Sequence, residues 1–88
     1  MTIARLDGEV IAESEQTVVI DGKHYFPPQS VHVGFLRPTE TRADGHHYSV
    51  IVHGKPAADC ACCTPRANVP DPRIAEHVTF TDPVIIED

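Results

Sequence analysis

Ile3-Ala4-Arg5-Leu6-Asp7-Gly8-Glu9-Val10-Ile11-Ala12 and Thr17-Val18-Val19-Ile20-Asp21-Gly22-Lys23-His24-Tyr25-Phe26 are built alike. In each, an Asp-Gly pair stands between two short runs rich in β-branched or aromatic residues. A two-residue hairpin turn needs positive φ at both central positions, and Asp-Gly supplies this at low steric cost. The flanking runs suit a pleated, half-buried surface. Two β-hairpins are therefore predicted before Pro27, and they set the fold class.

Further along, Tyr48-Ser49-Val50-Ile51-Val52 leads into His53-Gly54-Lys55-Pro56 and returns through Asp59 to Cys63, which reads as a third hairpin. A last strand is expected in His77-Val78-Thr79-Phe80. Pro27 and Pro28 exclude a central strand there, because proline removes ladder donors. Pro28 to Gly34 suits one short helical turn with proline at its start, and Pro72 to Glu76 suits another. Pro65, Pro70 and Pro72 interrupt the stretch after the third hairpin. No segment keeps a 3.6-residue period over three turns, so no long helix is expected. The expected architecture is one mainly β (small α+β) domain over residues 1–88, a hairpin-built antiparallel sheet or partly open barrel with one or two short helical turns. Tyr25, Phe26 and Phe80 read as its core.

Composition narrows the function classes. The chain has 88 residues, 41% of them hydrophobic, and a formal net charge of -6. Its seven Lys and Arg are scattered rather than gathered in a stripe, so nucleic acid is an improbable partner. No apolar run approaches the roughly 20 residues that span a bilayer, and Met1 to Val10 lacks the basic start and apolar block of a signal peptide. A cytoplasmic location follows as the expectation, with the three cysteines as reduced thiols. Exposed strand edges make a homodimer one possible assembly.

Chemistry, if present, belongs to the third hairpin. With His53 facing Pro56 across Gly54-Lys55, Ser49 stands opposite Cys60 and His47 opposite Cys62. Opposed Cβ atoms of such a pair lie about 4.5–5.5 Å apart. Alternation then puts Cys60, Cys62 and His47 on one face and Cys63, His46 and Tyr48 on the other. One reading is a zinc or copper site drawing on Cys60, Cys62, Cys63, His46 and His47, with His77 or His53 as a further ligand. A second is thiol catalysis, with Cys62 as nucleophile and His47 as its base. A third treats the thiols as small buried hydrophobes. Tyr48 would form a ligand wall, and Arg37 and Arg42, flanking Pro38-Thr39-Glu40-Thr41, could hold an anion from a surface loop. Phosphate loops, the Gly-x-Ser-x-Gly elbow and His-Glu-x-x-His are absent from the sequence.

The chain resembles the family catalogued as domain of unknown function 427. The resemblance rests on Val10-Ile11-Ala12-Glu13-Ser14, His24-Tyr25-Phe26-Pro27-Pro28, Ser30-Val31, Leu36-Arg37-Pro38-Thr39-Glu40-Thr41, Tyr48-Ser49-Val50-Ile51-Val52 with Gly54-Lys55, Asp59 to Pro65, and His77-Val78-Thr79-Phe80, in that order. It implies a small, mainly β fold and little about activity. Some members carry a nucleotidyltransferase label, but this sequence lacks the Gly-Ser helix start and spaced aspartates of that chemistry. Two departures stand out. Where members carry a Cys-Pro-Trp-Lys-Gly-like segment, this chain has Arg42-Ala43-Asp44-Gly45-His46. Where they carry Ala-Trp-Tyr, it has Ala61-Cys62-Cys63. Thiol and imidazole thus replace bulky aromatics in what look like adjacent regions.

Together these readings predict a small soluble binding domain with a Cys/His-lined site on the third hairpin, for a metal ion or a small thiol-reactive ligand. The alternatives are a small enzyme with a Cys62–His47 pair and an interaction module without a chemical site.

Overall fold

Both Asp-Gly turns form as predicted in the computed structural model, which describes residues 1–43, 45–65 and 71–88. Strands β1 (Thr2–Leu6) and β2 (Glu9–Ser14) close on Asp7 and Gly8, with φ of 49° and 84°. Strands β3 (Val18–Ile20) and β4 (Lys23–Phe26) close on Asp21 and Gly22, with φ of 52° and 78°. Both residues of each turn are left-handed, and such turns match the twist of the strands they join.

Five further strands follow: β5 (Leu36–Arg42), β6 (Gly45–Val52), β7 (Lys55–Cys63), β8 (Val78–Phe80) and β9 (Ile85–Glu87). Among the described residues they assemble with the others into two antiparallel sheets, β2-β1-β9 and β3-β4-β8-β7-β6-β5, with no closed barrel. The proline-led connectors carry single 3-10 turns at Pro28–Ser30, Val33–Phe35 and Pro72–Ile74. In the last, the Asp71 side chain accepts a hydrogen bond from the Arg73 backbone N–H at the turn's start. The break expected at Pro70 and the turn residue Asp44 lie outside the described residues.

Two strands were not expected. Leu36–Arg42 reads as a polar loop, yet it forms the edge strand β5, exposed along most of its length. An edge strand tolerates Pro38 because one side of its ladder is open. A register shift between Pro38 and Glu40 marks a bulge there. The short β9 is recruited by β1 through Ile3, Ala4 and Arg5, a long-range pairing that no local pattern announces.

The core lies between the sheets. Ala4, Leu6, Ile11 and Ala12 from one sheet meet Phe26, Val50, Val52, Ala61, Val78 and Phe80 from the other. Phe26 and Phe80 pack edge to face, with ring centroids 5.6 Å apart. Tyr25 is not in this core: neighbouring residues on a strand point to opposite faces, so Phe26 takes the inner side. Among the described residues, no helix is long and apolar enough to cross a membrane.

Candidate functional site

The third hairpin differs from expectation at its tip. Its turn is only His53-Gly54, at φ 53° and 77°, and Val52 pairs with Lys55, not His53 with Pro56. His-Gly thus does what Asp-Gly does in the other two hairpins. Ile51 then pairs with Pro56 and Val50 with Ala57, while farther along Tyr48 pairs with Ala61, His47 with Cys62 and His46 with Cys63. Between these blocks β6 carries Ser49 alone, whereas β7 carries Ala58, Asp59 and Cys60. The excess residues form a bulge whose Asp59 is left-handed, at φ 58°.

This bulge has two consequences. First, the facing of His47 and Cys62 arises from a tighter turn compensated by extra residues in β7. Second, Cys60 leaves the face it was expected to share with Cys62. No Ser49–Cys60 pair forms; Cys60 is fully buried in the core, with its thiol 3.3 Å from the Ala57 carbonyl.

On the face turned away from the core, a transverse row crosses the larger sheet. Tyr25 pairs with Thr79, Thr79 with Cys62, Cys62 with His47, and His47 with Glu40. Within it, Cys62 Sγ lies 3.9 Å from His47 Nε2. His47 Nδ1 lies 3.1 Å from Asp59 Oδ1, delivered by the bulge. The other Asp59 oxygen accepts from Arg42 Nη2 at 2.7 Å, and Arg42 is also hydrogen-bonded to Glu40 Oε1. His47 is nearly buried, at 9% exposure, and its backbone carbonyl accepts from the Thr39 hydroxyl.

The electrostatic logic is that of a base with an orienting carboxylate. A carboxylate at Nδ1 favours the tautomer with hydrogen there, which leaves the Nε2 lone pair toward the thiol. A thiol–imidazole pair oriented by a third group is the general pattern of an activated nucleophile. Burial pushes the Cys60 thiol pKa up, and burial followed by the Glu76 charge does the same to Cys63.

On the core-facing side of the same strands, Tyr48 and Cys63 line a cleft of about 370 Å³ with Val31, Leu36, Glu76 and Val78 among its walls. Its size is at the low end of small-molecule pockets. Cys63 donates toward the Glu76 carbonyl at 3.4 Å. Burial is the first cause of a raised Tyr48 pKa, with the two neighbouring thiols adding to it.

The hairpin therefore distributes the sequence-predicted residues. Cys62 and His47 come together. Cys60 goes to the core, Cys63 and Tyr48 to the cleft, and exposed His46 bonds Thr41 Oγ1 through Nδ1 at 3.0 Å. His53 sits in the exposed turn, and His77 Nδ1 lies 3.0 Å from the Ala75 carbonyl. Among the described residues, no group of three or more His, Cys, Asp or Glu side chains gathers as metal ligands do. Arg42 engages Glu40 and Asp59, and exposed Arg37 stands opposite Ser49.

Two members of the site are not among the site residues that the sequence suggests. Asp59 is one; an aspartate in the middle of a strand, where its β-propensity is poor, is the available sign of a bulge. Thr79 is the other, and only the β7–β8 register brings it beside Cys62. Comparison with family models, curated proteins and solved structures finds no match to this chain.

Proposed function

We propose that the chain is a small thiol-reactive protein in which Cys62 attacks a small electrophilic ligand. His47 takes the thiol proton at Nε2, and Asp59, steadied by Arg42, holds the imidazole in the required tautomer. The supporting observation is the continuous contact from Cys62 Sγ through the His47 ring to Asp59 Oδ1, 3.9 Å and then 3.1 Å. Of the two forms of the binding-domain reading, this one draws on residues that meet. The zinc or copper form would have to gather thiols that the fold sends to the core, the cleft and the opposite face. A reducing, cytoplasmic setting suits a function that needs free thiols. The likeness to the domain of unknown function 427 family belongs to the same proposal, as a divergent member whose aromatic positions became thiols.

Competitive alkylation with limiting iodoacetamide near neutral pH, read by peptide fragmentation, tests this. Cys62 should be consumed at least about tenfold faster than Cys60 or Cys63. His47→Ala should slow Cys62 about 100-fold, within the usual range for losing a general base. Asp59→Asn, which keeps a residue tolerant of left-handed φ, should give a smaller loss. Uniformly slow alkylation, or an unchanged Cys62 rate in folded His47→Ala protein, would overturn the reading.

A further inference from the structure

Thr79 extends the site. It pairs directly with Cys62 across β7–β8, so their Cβ atoms share a face about 4.5–5.5 Å apart. Its Oγ1 is shielded from solvent and has no hydrogen-bond partner among the described residues. Such a hydroxyl is a cost to folding unless something outside the chain completes it. A threonine hydroxyl moves between staggered rotamers, and one with no partner beside a nucleophile gains a hydrogen bond by turning toward a substrate's polar atom.

The position of Cys62 in the sheet limits that substrate. Strand β7 is central, paired with β6 on one side and β8 on the other. Its backbone N–H groups face the two ladders. Acyl transfer calls for a pair of backbone or side-chain donors aimed at a developing oxyanion. A mid-sheet cysteine has its neighbouring amides committed elsewhere, and among the described residues the Thr79 hydroxyl is the donor left on offer beside it. Displacement at a peroxide oxygen needs less, since only the departing oxygen must be stabilised and protonated.

We infer that Cys62 reacts with hydroperoxides, with the Thr79 hydroxyl hydrogen-bonding the peroxide oxygens. This rests on the Cys62–His47 nucleophile reading and deepens it. His47 Nε2 takes the proton from the Cys62 thiol. The thiolate attacks one peroxide oxygen; an S–O bond forms as the O–O bond breaks, and the bonding pair leaves with the distal oxygen. The imidazolium returns its proton to that oxygen, so an organic hydroperoxide gives one alcohol, or hydrogen peroxide one water, and sulfur becomes sulfenic acid. Sulfur is oxidised by two electrons and the peroxide is reduced by two.

Neither remaining cysteine is placed to resolve this product. Cys60 lies in the core, and Cys63 opens to the cleft on the other side of the sheet. A low-molecular-weight thiol must therefore attack the sulfenic acid, releasing water and forming a mixed disulfide. A second such thiol then exchanges with that disulfide, restoring Cys62 and leaving with both external sulfurs joined.

The test treats reduced protein with limiting hydrogen peroxide or tert-butyl hydroperoxide and traps sulfenic acid with dimedone. Cys62 should carry the trap well before Cys60 or Cys63. Thr79→Val should slow peroxide oxidation about tenfold, the effect of losing one hydrogen bond to a charged group. Thr79→Ser should restore the rate. Added glutathione should give a mixed disulfide at Cys62. The inference is overturned if peroxide oxidises Cys62 no faster than free cysteine, or if Thr79→Val oxidises at the wild-type rate, while iodoacetamide still selects Cys62. Loss of iodoacetamide selectivity as well would instead sink the nucleophile reading beneath it.

Discussion

Cys62 and Cys63 are consecutive, yet the fold gives them opposite chemical surroundings. Cys63 opens to an apolar cleft beside Tyr48 and Val78, where burial holds its proton on. Cys62 lies on the other face, against an imidazole backed by a carboxylate. The difference shows that register, more than residue type, decides which thiol packs in the cleft and which meets the imidazole. A slip of one residue along β7 would exchange the two roles.

Forcing the open end of the hairpin apart should remove the contrast between the two thiols most completely. Gly45 begins β6 at φ 137°, and a Cβ there would stand 2.6 Å from the Cys63 carbonyl oxygen. That backbone oxygen cannot swing away as a side chain would. Gly45→Ala should therefore cost about 3 kcal/mol, combining backbone strain with overpacking. It should also narrow the alkylation difference between Cys62 and Cys63. The control is Gly8→Ala, at φ 84° with nothing within 4 Å of the added atom. Strain alone applies there, about 1 kcal/mol. Urea unfolding of the two variants checks the contrast; equal losses would mean that the Gly45–Cys63 approach does not hold the register.

A gentler lever is pH. Cys63 and Cys60 both have folded pKa values raised above the ordinary 9.0, with burial as the leading cause in each. The folded chain then keeps protons that the unfolded chain releases. Stability from these thiols is complete below pH 9 and falls as pH rises through their folded values. The urea midpoint should drop from pH 8 to pH 10, and Cys63→Ala should flatten part of that slope. Iodoacetamide should reach Cys63 appreciably only in the same alkaline range, long after Cys62 has reacted. A Cys63 that alkylates readily near neutral pH would erase the distinction between the faces.

The legibility of this hairpin in the sequence follows the range of the forces involved. Asp7-Gly8 and Asp21-Gly22 announce their turns because left-handed φ is a local requirement. His53-Gly54 meets the same requirement with a residue less favoured there, so its turn reads one pair too wide. The pairing of His47 with Cys62 is legible only because the bulge repays what the turn removes. Cys60 illustrates what is not legible: its face depends on the conformation of Asp59, which no spacing rule contains. Strand β5 hides for a similar reason, since an exposed edge imposes no hydrophobic alternation on Pro38-Thr39-Glu40-Thr41. Thr79 joins the site through a pairing between β7 and β8, and long-range pairing leaves no local mark.

The smallest expected effect is at Thr79, on the outer face. Removing an unsatisfied buried hydroxyl while keeping its shape should stabilise the fold, because no protein hydrogen bond is lost and a desolvation cost disappears. Valine also suits a central strand at least as well as threonine. Thr79→Val should therefore raise stability by about 1 kcal/mol, read as a higher urea midpoint with an unchanged slope. On the core face, trimming Val78 to Ala should move the midpoint the other way, since there the lost methyl groups are packed. If Thr79→Val instead destabilises, the hydroxyl already has a partner in solution. The outer face would then be as fully satisfied as the core, with no polar position beside Cys62 left for a substrate oxygen to complete.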